Sequence, residues 1–458
     1  MGGLSAEERP KSRLFALRPV LRLLPEIEVP KRHISFRERF FWTCLALLAF
    51  LAMTQVPLYG GKSTVDIFQN LRFVFASHRG TVVELGIGPI VTAGIILQLL
   101  VGSKIIGLDL SESEDRALFT SLQKGLAILM AIFEASMLVL GGWYDPRRLD
   151  PSAAPLSTAC KLFLVFQLTV GAIIVLYLDE LVSKYGLGSG ISLFILAGVA
   201  TEICWQSFSP FKQGGQYIGA VPNFVDASIK GTGLGDAFLR AGAPSMLGFL
   251  TSILLFLIIV YLNNVSVGIP LAHERVGGIR GRYPISLLYT NVIPVILAMA
   301  VFANLRLLGV MFPSLSGISN YVIPPNNLQE TLSEPLRAAI YLAIFVPLCV
   351  GFSWVWIYLA GMGPREIAEQ LRDAEMFIPG FRRDVRMMEE HLSRYLIGAT
   401  ILSGIIVALL SATGDFLGSI GSGTGILLAV GIAQNLHEEI SRQRIAEMFP
   451  AVRRLLGE

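Results

Sequence analysis

Glu134 is the only acid set deep within an apolar run of this 458-residue sequence, with Lys124 a few turns ahead of it. An ionisable group at that depth is a functional candidate by default, because charge is costly in hydrocarbon. Proton-coupled carriers show several such groups, and here there is one. Asp179-Glu180 is an acid pair at the end of another apolar run, and it reads as a solvated helix end. Gly61-Lys62-Ser63 imitates the end of a phosphate-binding loop, but Val56 stands where the first glycine is required, so the segment reads as a turn. The five histidines show no HExxH or HxxxH spacing, and Cys44, Cys160, Cys204 and Cys349 stand singly in apolar runs as small hydrophobes. No nucleophile–base arrangement is visible. These residues predict neither an enzyme nor a cofactor or metal site.

The elements around these residues belong to a membrane. The sequence is 53% hydrophobic and 16% charged, with a mean hydropathy of +0.62, which is polytopic composition. Apolar runs long enough to cross a hydrocarbon core of ~30 Å lie near 37–57, 84–102, 118–141, 157–178, 189–208, 245–263, 285–304, 336–360, 394–412 and 422–437. The fold class expected is therefore all-α with about ten transmembrane helices. The first run follows a long charged segment and is expected to remain as helix one, with no cleaved signal. With ten spans, about 24 of the 37 Lys and Arg fall on the side that carries both termini. The positive-inside rule puts that side, and both termini, in the cytoplasm.

One stretch departs from a plain span. Leu85 to Gly102 is apolar, yet Gly86, Gly88, Pro89, Thr92 and Gly94 crowd its first half. Before it, Thr64 to Arg79 is half apolar and carries Asp66, Arg72 and Arg79, too short and too charged to cross. Together they read as a helix broken inside the membrane, an arrangement tolerated only where backbone lines a cavity or is buried in protein. Gly188-Ser189-Gly190-Ile191 opens the fifth span and Gly423-Thr424-Gly425-Ile426 the tenth, about half the chain apart. Similar motifs opening spans of opposite direction point to an inverted repeat, with a common helix-start turn as the plainer explanation. Residues 1–35 carry Leu14, Leu17, Leu21 and Leu24 among arginines, a spacing for an amphipathic helix on the cytoplasmic face up to about Pro25, or else a solvated tail. The loops 264–284 and 361–393 project arginines around tight turns: a hairpin over Ser266 to Pro284, and a short helix from Pro364 to Glu375 followed by Pro379-Gly380-Phe381-Arg382-Arg383. Such loops suit polyanionic RNA, or simply satisfy the topology rule.

The motifs Leu85 to Gly94, Tyr177-Leu178-Asp179-Glu180 with Ser183-Lys184-Tyr185-Gly186, Gly188 to Ile191, Ile269-Pro270-Leu271-Ala272-His273, Ile293-Pro294-Val295-Ile296 and Gly423-Thr424-Gly425 resemble the SecY family. That family supplies the α subunit of the protein-conducting Sec channel. The resemblance runs in order from about residue 20 to the C-terminus, and its Ile269–His273 version looks like the archaeal branch. It implies two inverted halves, spans 1–5 (36–208) and 6–10 (209–440), around a central hourglass pore, with a cytoplasmic tail at 441–458. Carried onto matching positions, the family's constriction, or pore ring, falls on Ile87, Val91, Ile191, Ile195, Ile296 and Leu428. Aliphatic side chains there could close around any extended chain and resist wetting when idle.

The resemblance also implies a plug over 64–75, comprising Thr64, Val65, Asp66, Ile67, Phe68, Gln69, Asn70, Leu71, Arg72 and Phe73. It implies a lateral gate between spans two and seven, where Thr92, Gln98 and Asn291 are the polar positions expected to tune opening. Ribosome contact falls on Arg275, Arg280, Arg282, Arg382 and Arg383. The partners implied are two small single-span subunits (a SecE-type γ and a β), the ribosome, signal sequences, nascent polypeptides and lipid, with no DNA. The function implied is conduction of secretory polypeptides across the cytoplasmic membrane, with release of transmembrane segments into lipid. The alternative is a secondary transporter with inverted repeats, which should gather polar groups at mid-membrane. This sequence has Ile87, Val91, Ile191 and Leu428 in those places.

Overall fold

A computed structural model describes residues 25–32, 34–61, 72–102, 105–106, 108, 113–148, 155–213, 215–231, 233–240, 244–273, 280–311, 317, 321–377 and 384–448. Its first half contains α1 (Phe36–Met53), α2 (Arg72–Phe75), α3 (Gly88–Gly102), α4 (Ser113–Leu140), α5 (Thr158–Tyr185) and α6 (Gly190–Phe208). A connector follows, with a small hairpin β1 (Lys212–Gln213) and β2 (Gln216–Tyr217), then α7 (Ala220–Lys230) and α8 (Leu234–Phe238). The second half holds α9 (Met246–Asn263), β3 (Ser266–His273), β4 (Arg280–Ser286), α10 (Ile293–Met311), α11 (Leu328–Ser333), α12 (Pro335–Leu359), α13 (Pro364–Asp373), β5 (Met376–Phe377), α14 (Val385–Phe416) and α15 (Gly423–Met448).

Local chemistry sets the helix starts. Ser35, Ser157, Ser245 and Asp384 each accept a backbone N–H of the first turn with their side chains, as residues favoured at N-caps do. Pro335 and Pro364 open α12 and α13, where a missing N–H costs nothing. Among the described residues, six helices are long and apolar enough to cross a membrane by length and composition alone, and α3 and residues 293–309 are apolar but shorter. The 15 residues of α3 rise only ~22 Å at 1.5 Å each, less than the ~30 Å core. The break expected between residues 64 and 102 is therefore present, and residues 81–87 complete the crossing as non-helical turns.

Each half repeats one pattern of neighbours. In the first, α3 packs on α4, α4 on α5, α5 on α1 and α6, and α1 on α6. In the second, α10 packs on α12, α12 on α14, α14 on α9 and α15, and α9 on α15. Each of these five pairs in one half has its counterpart in the other, which is the internal repeat expressed as packing. The halves meet where α3 touches α10 and where α6 touches α15.

Three expectations shift. The seventh span starts at Ile293, later than residue 285, because β4 runs to Ser286. The tenth helix runs on past residue 437 to Met448, into the expected tail. The loops 264–284 and 361–393, read as separate, fold into one unit: β3 pairs with both β4 and β5, and Ile269, Leu271 and Ile285 share an apolar core with Ile367, Leu371, Met388 and Leu392. The expected N-terminal amphipathic helix lies outside the described residues, as do Lys62 and Ser63 of the lookalike loop.

Candidate functional site

The site is built outward from the break in the second span. The helix α2 ends at Phe75, whose carbonyl accepts the Ile87 N–H at 2.9 Å. This places α2 directly on the start of α3. The approach requires Gly86, where φ is +55° and an added Cβ would sit 2.0 Å from that same carbonyl oxygen. No other residue type fits both the left-handed backbone and the space. Glu84 organises the same turn: its Oε2 accepts the Tyr144 hydroxyl at 2.6 Å and the Gly80 N–H at 2.9 Å. Arg72 at the start of α2 lies 4.0 Å from the other carboxylate oxygen. Burial, with the Glu84 carboxylate alongside, pushes the Tyr144 phenol well above its ordinary range, so it remains a donor. His78 is held below the usual histidine value, first by burial and then by the Arg72 guanidinium.

The six aliphatic residues singled out from the sequence come from four helices or their first turns. Ile87, Ile195 and Leu428 are buried, while Val91, Ile191 and Ile296 are partly buried, and all six belong to one continuous apolar cluster. That cluster also contains Val74 and Phe75 of α2, and α2 packs against both α6 and α15. Of the plug residues, Arg72 and Phe73 lie in α2, and 64–71 fall outside the described residues. On the far side of α2 opens a polar cavity of about 620 Å³, lined among others by Arg72, His78, Arg79, Glu202, Arg240 and Asp415.

Where α3 meets α10, Thr92 donates to the buried Glu134 of α4 at 3.1 Å, and the Asn304 amide donates to the Thr92 hydroxyl at 3.1 Å. The Asn304–Thr92 hydrogen bond thus bridges the two halves inside apolar surroundings. Thr92 was expected at this contact. The roles of Glu134 and Asn304 were not read from the sequence, although a lone asparagine at the end of an apolar run was the available signal. Asn291 points elsewhere: it holds φ +54° before α10 and donates to Asn435 of α15 at 3.2 Å. Gln98 is half-buried, and its carbonyl oxygen has no hydrogen-bond partner among the described residues.

The acid pair is not a solvated helix end. Asp179 accepts the Ile191 N–H at 2.9 Å. Glu180 is paired with Lys124 at 2.7 Å and Lys184 at 2.8 Å, and it accepts the Ile27 N–H at 3.2 Å. Lys124 also donates to the Pro25 carbonyl at 2.6 Å, and Tyr185 to that of Glu28 at 3.0 Å. Residues 25–28 are thereby strapped across the ends of α4 and α5. Among the loop arginines, Arg282 is exposed on β4 and Arg280 contributes backbone to the same strand, while Arg275, Arg382 and Arg383 lie outside the described residues.

Comparison with known proteins agrees with this geometry. Residues 81–437 match the family described as SecY, and residues 48–80 match the "Plug domain of Sec61p". A protein translocase subunit SecY of Pyrococcus furiosus is 43% identical, the alignment covering 95% of this chain and 97% of that protein. A solved structure described as "The structure of a protein conducting channel" superposes with a TM-score of 0.82 at 36% identity, covering 95% of this chain and 99% of its own. Sec61 in the canine ribosome–channel complex from the endoplasmic reticulum superposes with a TM-score of 0.79 at 35% identity, covering 95% and 99%.

Proposed function

The chain belongs to the SecY family, and from that premise we propose that it is the central, pore-forming subunit of a translocon in the cytoplasmic membrane. It is a multi-pass membrane protein and a protein translocase channel subunit. It conducts secretory polypeptides and releases transmembrane segments sideways into lipid, with both termini in the cytoplasm. The observation that carries this reading is that the four helices bearing the six aliphatic residues meet across the halves, α3 on α10 and α6 on α15, with α2 packed on α6 and α15. Flexible aliphatic groups offer a passing chain no hydrogen bonds to hold it, and a narrow apolar constriction resists wetting when empty. A transporter would need polar groups converging there, so the secondary-transporter alternative has no support.

In this reading Ile87, Val91, Ile191, Ile195, Ile296 and Leu428 form the collar, and residues 64–75 form the plug seated beneath it. The α3–α10 contact is the lateral gate, latched by the Thr92–Asn304 bond. The unit formed by β3, β4, β5 and α13 carries the ribosome-facing arginines, and the Sec61 relative in a ribosome–channel complex supports that assignment. Two small single-span subunits complete the channel. The chain performs no bond chemistry: a docked ribosome and an inserting signal sequence bias a closed–open equilibrium, and translation or a cytosolic partner supplies the drive.

The test is reconstitution with the two small subunits into vesicles programmed with ribosomes making a secretory precursor. Protease protection of the precursor inside the vesicles is expected. Uptake of small solutes without protection of the precursor would contradict the reading.

A further inference from the structure

We propose that Asp179 and Asp415 are matched positioning residues that fix where α6 and α15 begin, one in each half, and thereby hold the apolar collar closed. Near the end of α5, Asp179 Oδ1 accepts the Ile191 N–H at 2.9 Å. Near the end of α14, Asp415 Oδ1 accepts the Gly423 N–H at 2.8 Å, with Oδ2 at 3.5 Å from the Thr424 hydroxyl. A helix N-terminus is ordinarily capped by its own preceding residue. Here Ser189, in that place before α6, makes no side-chain capping bond, and the carboxylate reaches across from the preceding helix. In the second half Ser422 does cap α15 in the ordinary way, accepting the Gly425 N–H at 2.9 Å, and Asp415 adds a bond from the preceding helix. The aspartate bond is tertiary in both halves: it ties one helix to its neighbour at a defined height.

The surrounding backbone is shaped for the same contact in both halves. A left-handed residue turns the chain ahead of each helix, Gly188 at φ +72° in one and Gly421 and Ser422 at φ +81° and +61° in the other. A Cβ on Gly190 would lie 2.6 Å from the Asp179 Cα. One on Gly423 would lie 2.1 Å from the Ser411 carbonyl oxygen and 2.7 Å from the Gly414 Cα. Only glycine permits so close an approach, and the approach is what lets a short aspartate reach the amide. The two sites lie toward opposite ends of the bundle: Asp179 precedes Glu180, which holds the N-terminal strap, while Asp415 lines the cavity that contains His78 and Arg79.

A carboxylate on helical N–H groups makes a charge-assisted bond and opposes the positive end of the helix dipole. Sliding or tilting α6 against α5 breaks that bond, so the cap resists such motion. The amide that Asp179 holds is that of Ile191, itself a collar residue, and Leu428 lies little more than one turn beyond Gly423. The caps stand on geometry alone, whereas their effect on the seal rests on the collar reading above.

The experiment uses the reconstituted channel with its small subunits, comparing Asp179→Ala with Asp179→Asn and Asp415→Ala with Asp415→Asn. Two readouts are taken: hydrogen exchange at the Ile191 and Gly423 amides, and ion conductance of the idle channel. The alanine variants are expected to speed exchange at the matching amide by about five-fold or more and to raise idle conductance. The asparagine variants keep an acceptor oxygen in place and are expected to restore both. Gly190→Ala and Gly423→Ala keep the carboxylate and wedge the helices apart, so they should reproduce the alanine phenotype if Asp→Ala fails to assemble. Unchanged exchange in the alanine and wedge variants overturns the proposal, as does equal loss in Ala and Asn accompanied by an equal fall in melting temperature. Faster exchange with unchanged conductance overturns the link to the seal, and with it the collar reading if Ile191→Ser also leaves conductance unchanged.

Discussion

Glu84 gathers three partners at the base of the plug, and its removal shows how much a single buried carboxylate can hold. Tyr144, the Gly80 amide and the Arg72 guanidinium all face it. Removing the carboxylate leaves the buried Tyr144 hydroxyl and the Gly80 N–H without their acceptor, at about 1–3 kcal/mol for each group so stranded. Glu84→Ala should therefore lower the melting temperature of the purified complex by several degrees and loosen α2, with thermal unfolding in detergent as the check. A fall no larger than that of an exposed control such as Glu114→Ala would contradict this role. His78 makes a second prediction here. Its value is lowered in the folded state by burial and by Arg72, so the folded form resists protonation while the unfolded form takes a proton near its ordinary pKa of about 6.5. Stability is thus full above that pH and declines as pH falls from about 6.5 toward the lowered folded value. Melting curves from about pH 7.5 down to about 5.5 should show this decline in the native chain, and His78→Gln should flatten that part of it. An unchanged slope would remove His78 from the account.

Among the elements, the contact between α3 and α10 is held by packing and by the Asn304–Thr92 hydrogen bond across the halves. Interhelical bonds in membranes are worth about 1 kcal/mol, which shifts a two-state equilibrium roughly five-fold. Asn304→Leu removes the donor to Thr92 and adds apolar surface, so it should alter the hydrophobicity threshold at which signal sequences engage. A series of graded signal sequences in a translocation assay checks this, and an unmoved threshold would argue that packing alone sets the gate. The mostly helical membrane fold and the break in the second span were legible because period, length and glycine content are local properties of the chain. Asn304 and Glu134 were not brought together by sequence reasoning, since neither α10 nor α4 signals locally that it packs beside α3. Asp179 was misread for the same reason: a carboxylate at a helix end is usually hydrated, and only the return of α6 onto α5 gives it an amide to hold. The joining of loops 264–284 and 361–393 was missed because β5 is only two residues long, below what strand periodicity can reveal. The six aliphatic positions were named through resemblance, because an isoleucine in a membrane helix looks alike whether it packs, meets lipid or lines a pathway.

At the scale of the whole molecule, two halves with matching neighbour pairs close on each other around an apolar centre. The polar cavity of about 620 Å³ lies on one side of that centre, and the arginine-bearing sheet lies on the side where β3, β4 and β5 gather. In the function proposed above, the six aliphatic residues form a constriction beside this polar space, which suits a cargo that is itself a polypeptide of arbitrary sequence. The most direct test of that claim is to stall a ribosome on a secretory chain bearing a photocrosslinking residue, using channels with single cysteines at Ile87, Ile191 and Ile296. The account predicts that the stalled chain crosslinks to all three positions, drawn from both halves, at one and the same depth along the chain. Crosslinks confined to outward-facing positions such as Leu254 or Phe256, with none at those three, would contradict it.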